Sequence, residues 1–319
     1  MYMHTSVLLS EVLRLSAPVF LAKQPVRFID CNLGFGGHTK AIMKLYDVPG
    51  HHTMGVIGID LDQANLARAQ ENIGTQENPV TYVHDSFAHL TEIASNAHWD
   101  YADLILFDVG LSSMHVDEAA RGFSYRKEGP LDMRFDVTQE LSAHVIVNEY
   151  SEAELMRIGY TYGEEKHSKL IARRILEARK KHSIDTTTEL TNIIQSCFPT
   201  RVHHTHPEQR FFQALRIETN DELEALTQGV EAAISLLSVG GRLLVITFHS
   251  LEDRIVKHIL KKYTKACICP ITSIQCTCNH MPEISIITKR PITPSDEEIA
   301  SNPRARSAKL RVCEKLSNV

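Results

Sequence analysis

Three short features carry the chemistry open to this chain. The first is Gly34-Phe35-Gly36-Gly37-His38, set directly after the apolar run Val26–Ile29 and leading into a helical pattern over His38–Leu45. Glycines at a strand-to-helix turn let the backbone bend sharply and approach a ligand, because no Cβ stands in the way. The second is Asp60, which ends the run Gly55–Ile59 and lies 26 positions after Gly34. A carboxylate at that strand end is placed to accept hydrogen bonds from both hydroxyls of an adenosine ribose. The third is Asp108, closing Leu104–Phe107 and followed by Gly110-Leu111-Ser112-Ser113. In a doubly wound sheet this position faces the same crevice as the glycine loop. Asp85-Ser86-Phe87, after Val80–Val83, adds a backbone amide and a ring able to flank an adenine, although Phe87 would pack equally well in a core.

The loop narrows the choice of nucleotide. A P-loop needs Gly-Lys-[Ser/Thr] after its glycines, and here the chain runs on to His38-Thr39, which argues against ATP and GTP. The NAD fingerprint G-x-G-x-x-G lacks its third glycine, but NAD stays open on this pattern alone. S-adenosylmethionine has no pyrophosphate, so it needs the acidic ribose clamp without a phosphate cradle.

These residues must be held by alternating strands and helices. The runs ending at Ile29, Ile59, Val83 and Phe107 read as strands, with a helix between the second and third that uses Leu61, Ala64, Leu66, Ala67 and Ala69. Gly240-Gly241 reads as a turn into a further buried strand, Arg242–Phe248. Such alternation predicts an α/β fold, a Rossmann-like parallel sheet with helices on both faces. Between Asp108 and Arg242 lie 133 residues, far more than one crossover requires. Helical patterns near Ala143–Glu149, Ser151–Ile158, Glu165–His182, Thr187–Cys197 and Glu218–Leu237 make this an inserted helical domain. Residues 1–111 and 226–319 are then expected to form the ligand-binding domain, and 112–225 the insertion. After the last parallel strand, Leu251–Tyr263 reads as a basic amphipathic helix, followed by a Cys-rich loop and short strands at Ile284–Thr288 and Ala308–Cys313.

Several longer polar stretches resemble one family, the bacterial small-subunit ribosomal RNA methyltransferase H (MraW-like) proteins, and the likeness runs nearly end to end. They include His4-Thr5-Ser6-Val7-Leu8-Leu9, the glycine loop, Asp108-Val109-Gly110-Leu111-Ser112-Ser113, Arg121-Gly122-Phe123-Ser124 and Gly129-Pro130-Leu131-Asp132-Met133-Arg134. Tyr162-Gly163-Glu164-Glu165, Phe212-Gln213-Ala214-Leu215-Arg216-Ile217, Phe248-His249-Ser250-Leu251-Glu252-Asp253-Arg254 and Asn302-Pro303-Arg304-Ala305-Arg306-Ser307-Ala308 continue it. The resemblance implies a class I methyltransferase sheet and methyl transfer from S-adenosylmethionine to the exocyclic N4 of a cytidine in the decoding region of 16S rRNA. It implies cofactor contacts at Gly36, Gly37, His38, Asp60, Phe87 and Asp108, and at His115, where the family usually has Gln. Asn32 in place of Thr and Phe135 in place of Met are milder departures.

In that reading Asp108 either orients the acceptor amine and takes its proton or serves the cofactor alone, and the insertion presents a single-stranded or flipped base. Phe123, Tyr125, Phe211 and Phe212 are candidates to stack on RNA, with core packing the commoner role for each. Arg121, Arg126, Arg134, Arg216 and the expected helix over Lys166–Lys181 are candidates for phosphate contacts. A Ser250–His249 nucleophilic pair is a poor geometry for adjacent residues at one strand end. Ser250 with Asp253 reads better as a helix cap, with His249 facing the crevice.

Cys267-Ile268-Cys269 and Cys276-Thr277-Cys278 form two CxC pairs, with His280 close behind. Four thiolates this near can hold a tetrahedral Zn²⁺, but structural sites favour CxxC knuckles. The preferred reading is therefore free or redox-labile thiols, a structural zinc is the alternative, and no catalytic metal is expected.

The net charge is −5, but its distribution is uneven: from Arg254 onward 12 Lys/Arg stand against 5 Asp/Glu. Lys166–His182 adds seven Lys/Arg against one Glu. Local basic patches on an acidic protein can still contact phosphate, although a solvated helix face explains a charge run equally well. The seven cysteines are an odd number, the N-terminus lacks a signal-peptide pattern, and no apolar run is long enough to span a bilayer. A reduced, cytoplasmic setting without a membrane is the expectation. Nothing in the sequence fixes an oligomeric state; a dimer is one option.

Overall fold

The computed structural model describes residues 6–23, 25–46, 54–74, 79–198, 206–267, 269, 275, 278 and 281–317. Two compact units emerge: Met1–Gly110 with Leu223–Val319, and Leu111–Glu222.

The first unit opens with α1 (Leu9–Ala22), followed by β1 (Val26–Asp30), α2 (Gly37–Tyr46), β2 (Met54–Asp60), α3 (Gln63–Ile73), β3 (Val80–His84), α4 (Leu90–Asn96) and β4 (Ala102–Asp108). The chain then passes through the insertion: α5 (Ser113–Asp117), α6 (Ala143–Glu149), α7 (Glu152–Thr161), α8 (Ser168–Arg179), α9 (Thr187–Ser196) and α10 (Pro207–Asn220). It returns with α11 (Glu222–Leu236), β5 (Leu237–Thr247), α12 (Ser250–Tyr263), β6 (Ile284–Ile286), α13 (Asp296–Ser301) and β7 (Lys309–Lys315).

The seven strands form one sheet in the order β3-β2-β1-β4-β5-β7-β6. β1 to β5 pair in parallel, and β7 runs antiparallel between β5 and β6. The parallel strands, with an antiparallel strand beside them, make the Rossmann-like sheet expected from the alternation of strands and helices. Its strands are apolar on both faces because helices cover both. Alternate residues divide accordingly. Val26, Phe28, Leu104, Leu106, Leu244 and Ile246 pack with α1, α2 and α3 through residues such as Val12, Val19, Ile42 and Leu66. Ile29, Ile57, Ile105, Phe107, Leu243 and Val245 pack with α4, α11 and α12 through Leu90, Val230, Ile234 and Val256.

The order of the strands matters for function. β1, β2 and β4 are neighbours, with Asp30 opposite both Gly58 of β2 and Leu106 of β4. Their carboxyl ends, and the residues Asp30, Asp60 and Asp108 that finish them, therefore lie side by side.

The inserted unit has its own core of Ile146, Val147, Leu155, Ile158, Ile171, Ile175, Leu190, Ile194, Phe211, Phe212 and Leu215. Helices α7 and α9 begin at sequence-encoded caps. Ser151 with Glu154 and Thr186 with Glu189 form reciprocal capping boxes, each satisfying otherwise orphaned N–H groups.

Three local expectations change. The single helix expected over Glu218–Leu237 is broken at Asp221, whose φ of 49° turns the chain between α10 and α11. Gly240-Gly241 is not a turn before a strand but part of a longer β5, where Gly240 has φ 73° and the pairing register with β4 shifts. The basic helix expected over Glu165–His182 is confined to Ser168–Arg179. No described helix is long and apolar enough to cross a membrane.

Candidate active site

The glycine loop is built as a tight turn at the end of β1. Gly34 and Gly36 adopt φ of 54° and 72°, a region that costs other residues roughly 1–2 kcal/mol. Space is a second constraint at Gly36, where a Cβ would come within 2.6 Å of Ile73 Cδ1 on α3. At Gly37 a Cβ would run into the Ser6 hydroxyl. Gly36 N–H donates to the Leu33 carbonyl at 2.7 Å, closing the turn from which α2 departs.

Asp60 holds this loop from the neighbouring strand. Its Oδ2 accepts from the Gly34 N–H at 2.8 Å, and its Oδ1 accepts from the Asp62 N–H at 2.8 Å and from Asn65 Nδ2 at 3.2 Å. Asp62 in turn caps α3 by accepting from the Ala64 N–H. The carboxylate is thus oriented by backbone groups that the local turn fixes.

Asp108 sits two strands away on the same edge. Its Oδ2 is 3.4 Å from Nε2 of His38, the residue that follows the glycine turn and is itself only 4% exposed. Its Oδ1 is buried and has no hydrogen-bond partner among the described residues. Burial pushes the Asp108 carboxyl up to about 8, and the nearby Asp30 and Glu252 carboxyls push the same way. The side chain still keeps 26% of its surface exposed, so the burial is one-sided. Its upward direction follows from both causes.

Asp30 is the residue that sequence reasoning passed over. It ends β1, is 1% exposed, and accepts from Thr39 Oγ1 at 2.7 Å and from the Asn32 N–H at 3.3 Å. Burial lifts it to about 6, with Asp60 adding to the rise and the Thr39 and Asn32 hydrogen bonds opposing it. A signal was available: it is the strand-terminal acid immediately before the glycine loop. Three strand-terminal aspartates and buried Glu252 make this edge acidic, a setting that favours cationic ligands and disfavours pyrophosphate.

Phe87 follows β3 in a short 3-10 turn, Phe87–His89. Its ring packs edge-on against Phe107 at 5.3 Å and fills space that a side chain on Gly229 would claim. The core-packing role is therefore real for this ring. His115 belongs to the inserted unit, in α5. It is 2% exposed, its Nδ1 accepts from the Ser112 N–H at 3.2 Å, and its ring lies 4.9 Å from both Phe123 and Phe135. Two of the three departures from the family pattern, His115 and Phe135, are thus ring neighbours.

His249 and Glu252 correct the expected cap of α12. The N-cap is His249, whose Nδ1 accepts from the Glu252 N–H, while Glu252 Oε2 accepts from the Phe248 and His249 N–H groups at 2.7 and 3.1 Å. Asp253 is drawn instead to β7, where Arg311 Nε donates at 2.7 Å and Lys309 Nζ at 3.3 Å.

The proposed RNA-stacking aromatics divide. Phe211, Phe212 and Phe123 are 0%, 4% and 7% exposed and belong to the insertion's core. Tyr125 is partly buried against Phe212, with Arg126 over its ring. Arg121 donates to the Arg134 and Phe135 carbonyls, Arg134 clasps Asp132, and Arg216 pairs with Glu222 at 2.7 Å. Those three arginines are committed to internal structure, whereas Lys166, Lys169, Lys180 and Lys181 are exposed. Of the second CxC pair, Cys276 lies outside the described residues, as do His4, Thr5 and His280.

The chain is 46% identical over 316 residues to the ribosomal RNA small subunit methyltransferase H of Clostridium botulinum strain Loch Maree, covering 99% of each chain. It is 48% identical over 290 residues to the protein of that name from Dehalococcoides mccartyi, covering 91% of this chain and 81% of the relative. Among solved structures, an rRNA methylase from Streptococcus thermophilus aligns with a TM-score of 0.40 at 9% identity, covering 95% of each chain. The sequence profile of the MraW methylase family matches residues 1–316, and the chain belongs to that family.

Proposed function

We propose that this chain transfers a methyl group from S-adenosylmethionine to the exocyclic N4 of a cytidine in the decoding region of 16S rRNA. The observation that carries the reading is Asp108. It is a carboxyl group on the acidic crevice edge, beside the first turn of the helix that leaves the glycine loop, with a buried oxygen that lacks a partner among the described residues. Its relatives, named as small-subunit rRNA methyltransferases, support the RNA class of substrate.

S-adenosylmethionine, when bound, supplies an electrophilic methyl on a positively charged sulfur. The residues present fit such a group. Asp60 is a ribose clamp oriented by Gly34 and Asp62. Gly36 and Gly37 keep the loop backbone bare, and His38 and Phe87 are the remaining contacts on this unit. The acidic edge suits a cation.

The acceptor is a weak nucleophile, because the cytosine N4 lone pair is delocalised into the ring. Methylation leaves one proton to be removed from that nitrogen, and Asp108 is the residue to orient the amine and hold the proton. A carboxyl group lifted to about 8 is mostly protonated at neutral pH. A bound cation would favour the carboxylate form of Asp108, the form that can accept that proton.

Residues 112–225 are proposed to recognise the RNA, with exposed Lys166, Lys169, Lys180, Lys181 and Arg126 on phosphates and Tyr125 on a base. An unpaired or flipped cytidine is required, since a stacked amino group cannot reach a crevice. A ribosomal substrate would make the enzyme cytoplasmic. The test is mass spectrometry of 16S rRNA from a strain deleted for its own family member and complemented with this gene or with Asp108→Ala. We expect N4-methylcytidine to return with the wild type and not with the variant. A wild-type complement that leaves the cytidine unmodified, or modifies another atom, overturns the reading.

A further inference from the structure

The loop between α12 and β6 spans 20 residues, 264 to 283. Its base is tied shut: the Glu283 N–H donates to the Tyr263 carbonyl at 2.9 Å, and Glu283 is gripped by Lys315 at 3.0 Å.

Within the loop, Cys267, Cys269 and Cys278 bring their Sγ atoms within 4.8 Å of one another. Cys267 and Cys278 sulfurs are 3.7 Å apart. That is far beyond a disulfide bond, about 2.05 Å. It matches the edge of a thiolate tetrahedron around zinc, about 3.8 Å for Zn–S bonds near 2.3 Å. Residues eleven positions apart in sequence have thus been brought to the spacing that a shared ion would impose. Among the described residues these three thiols are the whole cluster.

We propose that Cys267, Cys269 and Cys278 bind a structural Zn²⁺ that clips this loop closed. The CxC spacing, which favours free thiols when read alone, is compatible with the ion once the chain folds back to place Cys278 against Cys267. A clip across a long loop gives the largest gain in closure entropy, and the soft thiolate set selects zinc over magnesium or calcium. Binding releases the thiol protons to solvent, and no electron transfer is involved.

The experiment uses the full chain purified under reducing conditions. Its zinc content is measured by mass spectrometry, and Co²⁺ is titrated into apo protein while the thiolate-to-cobalt charge-transfer band is followed. We expect one zinc per chain, a strong charge-transfer band that zinc abolishes, and at least a tenfold loss of bound zinc in Cys267→Ser and Cys278→Ser. Cys197→Ser, in the inserted unit, should keep its zinc. The cobalt spectrum of the wild type needs no variant to fold. Absence of the band, or equal zinc in the wild type and the Cys267→Ser/Cys278→Ser double variant, overturns the proposal.

Discussion

Asp60, at the end of β2, accepts the backbone N–H of Gly34 at 2.8 Å, so the ribose-clamp candidate and the glycine turn are parts of one hydrogen-bonded unit. Asp60→Ala removes the acceptor for Gly34, Asp62 and Asn65 together with the carboxylate. Hydrogen bonds to a charged group contribute about 1.5–3 kcal/mol. Loss of ribose binding should therefore weaken S-adenosylhomocysteine affinity by roughly 10- to 100-fold or more. Calorimetry reads this directly, and NAD run beside it should not bind at all. Wild-type affinity in Asp60→Ala would remove the pocket assignment.

Gly36→Ala tests the loop from the other side. The methyl group meets Ile73 Cδ1 at 2.6 Å and the backbone stays at φ 72°. Strain and crowding together should cost about 2–3 kcal/mol. Ile73→Val should recover part of the crowding and none of the backbone strain. Thermal melts of the single and double variants separate the two contributions; full recovery in the double variant would show that φ was not limiting.

A raised carboxyl value has a sign that can be measured. Folded Asp30 and Asp108 keep protons that the unfolded chain has released, since both lie above the ordinary 3.8, at about 6 and about 8. Their contribution to stability is therefore whole below pH 4. It is lost progressively as pH rises through 6 for Asp30 and through 8 for Asp108. Asp108→Asn, which cannot ionise, should flatten the fall of Tm between these two values and be more stable than the wild type above pH 8, by on the order of 1 kcal/mol. The same variant should lower methyl transfer by about 10²–10⁴-fold if Asp108 takes the proton. Sulfonium binding by the wild type should tighten with pH through this window, while the neutral thioether should not. A Tm slope unchanged by Asp108→Asn would contradict the perturbed carboxyl.

Much of this site was legible because strand-terminal residues are fixed by two strong rules. Alternation of buried strands and helices gives the sheet, and a parallel sheet gathers its chemistry at the carboxyl edge. The turn at Gly34 and the strand-end places of Asp60 and Asp108 were found that way. Asp30 was not, because a buried acid before a glycine turn looks like part of the turn; only neighbouring strands reveal that it faces Asp60 and Asp108. The caps of α12 were also opaque. Ser250 and Asp253 have the residue types of a cap, yet Arg311 and Lys309, far along the chain on β7, compete for Asp253 and leave the capping to His249 and Glu252. Long-range pairing of that kind leaves no local trace. The break at Asp221 was hidden for a different reason: apolar periodicity continues across it, and a left-handed aspartate is a rare choice.

Glu252 separates structural from chemical roles at this edge. It is fully buried, its Oε2 accepts from two successive N–H groups, and its Oε1 lies 2.9 Å from His249 Nε2. Glu252→Ala leaves two buried backbone donors without that acceptor and opens a small cavity, so it should destabilise the fold by about 3–5 kcal/mol. Glu252→Gln keeps one acceptor oxygen and should cost less, about 1–2 kcal/mol. It also removes one of the charges that hold the Asp108 carboxyl up. Asp108 should then titrate lower, moving the acidic limb of the methylation rate profile to lower pH while leaving kcat at its plateau within a few-fold. Denaturant melts and pH profiles of the Gln variant make the comparison. A loss of stability with no movement of the profile would mean that Glu252 holds the helix cap and has no electrostatic hold on Asp108.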